Sequence, residues 1–266
     1  MNPVQFIQLT DMTDSYIKML DHIIVRGNVC APRGMKIREI EDAVVTTSNI
    51  RETMPRGIGR GMNYKILAGE TMQWMAGVSD LAQLSWASKG RFLNYSDDGT
   101  RLYGPYGPRS YRGLARAVDV LAKDPDSRQA VASLWTNEES SVTKDLPCTL
   151  SWSFRIRGGK LNMSTVMRSW DAWTGVTYDL PAMTRIQSGV AWALGVEPGT
   201  YNHTAHSLHV YARDEEAISL LENGKDQNGP QPLVFDGIDD WLIEHDHDPT
   251  KMTPQDRWSF VVKCAR

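Results

Sequence analysis

The sequence predicts an α/β (α+β) fold, a sheet flanked by helices, built as one domain over residues 1–266. Three observations carry that prediction. Residues 150–167 read as two alternating strands joined at Gly158 and Gly159, and residues 183–194 carry an apolar stripe at helical spacing. A hydrophobic content of 41% over 266 residues is enough for one sizeable core.

Taken in order, residues 1–24 place Phe6, Ile7, Tyr16, Ile17, Leu20, Ile23 and Ile24 at helical spacing and predict an amino-terminal helix. Residues 35–47, rich in Ile, Val and Thr, predict a pair of extended strands. A glycine and arginine cluster at 56–61 precedes a helix over 62–76. Residues 88–112 are dense in Gly, Pro, Asp and Tyr and predict a long surface loop, whose tyrosines are placed to line a ligand site. A short helix over 114–121 then leads through Asp124-Pro125-Asp126 into a buried strand at 130–135.

In the next strand Leu150, Trp152, Phe154 and Ile156 point one way and Ser151, Ser153 and Arg155 the other. A two-glycine hairpin turn follows, and the return strand, 161–167, delivers Arg168 at its end. A helix is expected to begin near Pro181, with Met183, Ile186, Val190 and Leu194 on one stripe and Gly195 to stop it.

Charged residues make up 23% and the net charge is −3, so there is no electrostatic case for a nucleic-acid or anionic-membrane partner. The apolar runs are shorter than the roughly 18 residues a membrane span needs. Asp11, Asp14 and Asp21 stand where a basic, apolar leader would lie. Three widely spaced cysteines, Cys30, Cys148 and Cys264, fit reduced thiols better than a disulfide framework, so a cytoplasmic protein is expected. There is no CxxC pair and no HExxH helix, and hence no sign of a zinc site.

The residues with chemistry cluster late in the chain. Cys148 follows Pro147 at the start of a strand; a thiolate there is a nucleophile if positive charge or aligned amides stabilise it, and otherwise a buried core thiol. Next comes the run Arg168-Ser169-x-Asp171-x-x-x-Gly175-x-x-x-Asp179, and after it His209-x-Tyr211. These blocks, in this order and spacing, resemble the thymidylate synthase family. The likeness extends to Val44-Val45-Thr46-Thr47, Glu70-x-x-x-Trp74-x-x-Gly77, Tyr103-Gly104-Pro105-Tyr106-Gly107 and Asp126-Ser127-Arg128, covering most of 35–215. Within the family the pattern lies nearest to the deoxycytidylate 5-hydroxymethylases.

The resemblance implies a mixed central sheet flanked by helices, a homodimer, and 5,10-methylenetetrahydrofolate as cofactor. It implies that Cys148 adds to C6 of a pyrimidine nucleotide so that C5 attacks the folate methylene group, and that water or hydride quenches the resulting exocyclic methylene. Arg168 then binds phosphate, joined by Arg128 of the partner subunit and by an amino-terminal arginine, Arg26 or Arg33. Guanidinium groups suit this because their planar donors engage two oxygens at once. Ser169 contacts the nucleotide, and His209 and Tyr211 bind the ribose 3′-hydroxyl. Glu70 organises water and relays protons at the base 4-position. Asp171 binds the pterin, with Gly175, Trp86 and Tyr106 on the cofactor side. The chain departs from the family at Gln129, where a second arginine is usual, so its phosphate clamp is weakened or rebuilt.

Enzymes of the family that act on uracil carry asparagine where this chain has Asp179. An asparagine amide complements the N3–H donor and O4 acceptor of uracil, whereas cytosine offers an N3 acceptor and an N4 donor. A carboxyl group accepts from N4 and can share a proton with N3. A mismatch costs roughly 1 to 3 kcal/mol per unsatisfied buried group. The expected reaction is C5 hydroxymethylation of dCMP. Hydroxymethylation of CMP, methylation of dCMP, thymidylate synthesis and a silent nucleotide-binding dimer are the alternatives. A purely structural role for Asp179 is to cap the helix opened by Leu180 and Pro181.

Overall fold

The computed structural model describes residues 4–56, 58–88, 90–139, 142–221 and 248–264. Its strands are β1 (Gln5–Gln8), β2 (Asn28–Cys30), β3 (Ile37–Thr47), β4 (Val131–Ser133), β5 (Thr149–Arg157), β6 (Lys160–Met167), β7 (Trp170–Asp171) and β8 (Glu197–Tyr211). They follow the order β1-β3-β8-β6-β5-β4, with β2 on β3 and β7 on β8, so parallel and antiparallel pairings mix. The chain divides into two compact units. One takes the described residues of 1–62, 164–184 and 200–232, the other those of 63–163, 185–199 and 233–266.

The first unit is organised on β3 (Ile37–Thr47), whose Ile37, Ile40, Ala43, Val45 and Thr47 are buried. Full burial of each large aliphatic side chain contributes roughly 1.5–3 kcal/mol. β3 pairs with β1 (Gln5–Gln8) in parallel and with β2 (Asn28–Cys30) antiparallel. On its other side it pairs antiparallel with β8 (Glu197–Tyr211), from Ile37 opposite Tyr211 to Thr47 opposite Tyr201. Residues 35–47 are thus one long strand and not the expected strand pair: Asp42 in its middle takes φ 52° and is skipped by the pairing with β8, which resumes at Ala43 opposite Ala205. The amino-terminal helix is also corrected. α1 runs Met12–Arg26, and Asp11 caps it by accepting from the Asp14 amide at 2.8 Å. The residues before that cap form β1 instead, which leaves Phe6 78% exposed. Tyr16, Met19, Leu20 and Ile23 form the buried face of α1.

In the second unit α2 (Tyr64–Ala76) is capped by Asn63 and ends at Gly77, which takes the left-handed conformation at φ 72°. α3 (Leu81–Ser88) follows. The expected loop over 88–112 is shorter than the sequence suggested. Residues Arg91–Tyr95 form a 3-10 turn, and α4 (Tyr106–Lys123) already runs from Tyr106. The buried stripe of α4 is Gly107, Ser110, Leu114, Ala117, Val118 and Leu121, and its small, polar first members hid the helical period. Leu84, Ala87, Phe92 and Leu102 form a small apolar cluster that anchors the stretch between α3 and α4.

β4 (Val131–Ser133) pairs antiparallel with β5 (Thr149–Arg157), on which Trp152 and Phe154 are buried. The turn to β6 (Lys160–Met167) uses Gly158 and Gly159 at φ 57° and 74°, the positive values that a tight hairpin of this hand requires. After β7 (Trp170–Asp171) comes α5 (Val176–Leu194), which begins five residues before Pro181 and carries that proline inside it. The amides of Tyr178 and Asp179 both bond to the Gly175 carbonyl, at 2.9 and 2.7 Å, so the helix is under way before the proline is reached. Gly195 stops it at φ 68°. The described chain closes with α6 (Glu215–Ser219) and α7 (Pro254–Cys264). Among the described residues no helix is long and apolar enough to cross a membrane.

Candidate active site

In the second unit Cys148 lies immediately before β5 and is half-buried. The backbone around it is held by close contacts. The Gly104 amide donates to Asp145 Oδ2 at 2.8 Å, and a Cβ on Gly104 would sit 2.1 Å from the Asp145 carbonyl oxygen and 3.1 Å from Pro147. Only glycine permits that approach. The Thr149 amide donates to Tyr106 Oη at 3.3 Å, and the Tyr106 ring packs on Trp74 at 4.8 Å between centroids and edge-on to Trp152 at 6.2 Å. A Cβ on Gly107 would lie 1.9 Å from the Gln73 carbonyl oxygen, so α4 crosses α2 backbone to backbone. The Tyr-Gly-Pro-Tyr-Gly motif is thereby accounted for as a clamp on the segment leading into Cys148. Tyr106, expected on the cofactor side, has its hydroxyl and ring engaged in that clamp.

Glu70 lies on α2 with Oε2 buried and without a hydrogen-bond partner among the described residues. Burial pushes its pKa up to about 7, against the opposing influence of Arg91. Asp145 is raised to about 6, also by burial, with the amides of Gly104 and Tyr103 and the charge of Arg109 holding it down. Arg128 is exposed in an open recess with Asp124, Asp126, Ser127 and Gln129, and the Gln129 carbonyl accepts from Arg116 at 3.0 Å. Trp86 falls on α3, but its side chain lies outside the described residues.

In the first unit β7 lies parallel to β8, with Trp170 opposite Leu208 and Asp171 opposite His209. Arg168 and Ser169, between β6 and β7, are half-buried. His209 is buried, with Nδ1 3.2 Å from Ser207 Oγ and its ring edge-on to Tyr211 at 5.2 Å. Asp171 Oδ1 accepts from the Trp173 and Thr174 amides at 2.8 and 3.0 Å, which fixes the carboxylate at the turn into α5. A carboxylate held this way suits the ring N–H donors of a pterin, so the side chain fits the group the motif implies. Arg26, the last residue of α1, is exposed.

Asp179 does not cap α5. It lies in the first turn, and its Oδ2 accepts from Trp170 Nε1 at 3.0 Å. Gly175, expected as a cofactor contact, is a packing position: a Cβ there would meet the Asp171 carbonyl oxygen at 2.7 Å, Asp179 Oδ2 at 3.1 Å and Trp170 Cδ1 at 3.3 Å.

Behind this pair is a group that sequence reasoning passed over. The Trp170 ring stacks on His203, centroids 3.5 Å apart and planes within 1°. His203 Nδ1 is 2.9 Å from Tyr201 Oη, which also contacts Thr165 Oγ1 at 3.1 Å. Burial lowers the His203 pKa to about 3, so the imidazole is neutral. The available signal was the inward alternation of Tyr201, His203 and Ala205 on β8. In the sequence it reads as an ordinary core strand.

A half-buried thiol at the start of β5 and a buried carboxyl with a raised pKa are residue types that can serve an α/β enzyme working by nucleophilic attack and proton transfer. Comparison with known proteins gives the family. The thymidylate synthase model matches residues 14–235, and the chain belongs to that family, whose members transfer one-carbon units from methylenetetrahydrofolate to pyrimidine nucleotides. It is 36% identical over 222 residues to a deoxyuridylate hydroxymethyltransferase of Bacillus phage SP01, covering 76% of this chain and 57% of that one. It is 24% identical to a putative thymidylate synthase of Methanosarcina acetivorans, over 83% of this chain and 95% of the other. A thymidylate synthase of Haloferax volcanii is 32% identical over 56% of this chain and 45% of its own. The chain therefore spans little more than half the length of the phage relative.

Proposed function

We propose that this protein hydroxymethylates C5 of dCMP, and the observation that carries the choice of base is Asp179, a carboxyl group held by an indole donor at the position where the family resemblance implies an asparagine in uracil-specific members. Cys148 adds to C6 and makes C5 nucleophilic. Methylenetetrahydrofolate, held by Asp171, would supply the one-carbon unit in exchange for the C5 proton, and breaking of the C6–sulfur bond returns the Cys148 thiol. Asp179 accepts from the N4 amino group and shares a proton with N3, which also makes the ring a better acceptor for sulfur. Glu70, with a pKa near neutrality, moves protons at the 4-position and orients the water that completes the hydroxymethyl group.

Arg168 and Ser169, with Arg128 of the partner subunit and Arg26, hold the phosphate in a homodimer, while His209 and Tyr211 hold the 3′-hydroxyl and Asp171 the pterin. A hydroxymethyltransferase among the relatives supports water, not hydride, in the last step. That relative is named for deoxyuridylate, which favours dUMP as the second reading.

The test is product analysis by mass spectrometry with dCMP, CMP and dUMP in turn, each with methylenetetrahydrofolate. A hydroxymethylated product from dCMP in preference to dUMP is expected. Preference for dUMP would overturn the reading of Asp179, and a methylated product would overturn the reading of the final step.

A further inference from the structure

We propose that Trp170 is a positioning residue for base recognition: its indole N–H fixes Asp179 Oδ2 as an acceptor and so assigns to Oδ1 the proton that the carboxyl group shares with the base. The inference rests on the reading of Asp179 given above.

An indole nitrogen can only donate. At 3.0 Å from Oδ2 it makes a hydrogen bond that favours the unprotonated form of that oxygen and restrains the rotation of the carboxyl group. A carboxyl group that must accept a proton from N4 and exchange one at N3 needs those roles settled before the nucleotide arrives. An orienting partner behind a titrating group does the same for a metal-bound or catalytic histidine.

Filling the core does not explain the pair. Trp152 and Trp258 are equally buried, and neither indole nitrogen has a hydrogen-bond partner among the described residues. Trp74, also buried, donates to the side chain of its neighbour Gln73 at 3.0 Å, so burial leaves some indoles paired and others not and does not by itself dictate an acceptor for Trp170. Trp170 is held from behind: the coplanar His203 ring fixes the indole plane, and Tyr201 Oη fixes the His203 ring. Gly175 removes the one side chain that would stand against both Trp170 Cδ1 and Asp179 Oδ2. The support is layered from β8 through β7 to the first turn of α5, and it ends on the carboxylate.

The experiment compares the parent enzyme with W170F, which keeps a ring for His203 and removes the donor, and with D179N and D179A. With dCMP, W170F is expected to lose kcat roughly tenfold while KM stays within about threefold, and its preference for dCMP over dUMP is expected to fall. In protein labelled with 15N-tryptophan, the Trp170 indole N–H is expected downfield of those of Trp152 and Trp258 and is expected to move upfield in D179A. If D179N leaves the choice between dCMP and dUMP unchanged, the reading of Asp179 fails, whatever Trp170 does. If D179N changes that choice but W170F keeps the parent kcat and selectivity, Trp170 is packing alone and the proposal is overturned. Should W170F not fold, the spectra decide: one indole N–H that moves strongly in D179A supports the bond, and a spectrum with none overturns it.

Discussion

The surroundings of Cys148 and those of Asp179 are built on opposite plans. Cys148 is placed by backbone: Gly104 against Asp145 and Pro147, Gly107 against Gln73, and a main-chain amide of Thr149 on Tyr106 Oη. Asp179 is placed by side chains, through Trp170, His203 and Tyr201 in series. The carboxyl groups differ in the same way. Glu70 keeps a buried oxygen without a partner among the described residues, whereas Asp179 has Oδ2 held by the indole. On the function proposed above, the group assigned to proton transfer is kept under-satisfied, with its pKa raised by burial, and the group assigned to base choice is tied down.

The largest break in this comparison is Cys148→Ala, which should lower turnover by roughly a thousandfold or more while circular dichroism and nucleotide binding persist. Activity surviving near the parent level would move the nucleophile elsewhere. Next is Glu70→Gln, expected to lower kcat about a hundredfold. The Glu70 carboxyl is protonated below about pH 7 and ionised above it. If the ionised form orients water, kcat in the parent enzyme rises through that pH, and in E70Q the inflection disappears; an unchanged profile would assign the titration to another group.

The same shift bears on stability. The folded pKa lies above the unfolded value, so the folded state binds the extra proton and stability falls as pH rises from about 4.5 to about 7. Thermal melting of E70Q against the parent across that range checks it: the parent should lose more stability than the variant.

Asp179→Asn should shift preference toward dUMP by roughly tenfold to a hundredfold, read as the ratio of kcat/KM for the two nucleotides. The smallest effect is Tyr106→Phe, which removes the acceptor for the Thr149 amide and should cost about 1 kcal/mol in chemical denaturation. A fall in folate affinity with unchanged stability would instead return Tyr106 to the cofactor side.

Much of this was legible in the sequence because the residues with chemistry sit at the ends of strands with clear alternation. Trp152 and Phe154 on β5, and Leu161, Met163, Thr165 and Met167 on β6, gave the hairpin, and with it the places of Cys148 and Arg168. The start of α4 was not legible, because its buried positions begin with Gly107 and Ser110, which carry no hydrophobic signal. Nor was the start of α5, where Pro181 looked like a first-turn residue and lies deeper in the helix. The support of Asp179 was invisible for a different reason. Trp170 and His203 are 33 residues apart, on β7 and β8, and their rings stack although the strand partner of Trp170 is Leu208. A contact of that kind is a property of the tertiary fold, which local pattern does not encode.

His203 has one more consequence. With its pKa near 3, the ring under Trp170 carries no charge at any pH at which the protein would be assayed. The support of the carboxylate proposed to read the base is therefore electrically silent. A change in base choice between mildly acidic and alkaline buffer would not trace to His203, and the same measurement on E70Q separates the share of Glu70, with its pKa of about 7, from that of the nucleotide and the carboxyl group proposed to face it.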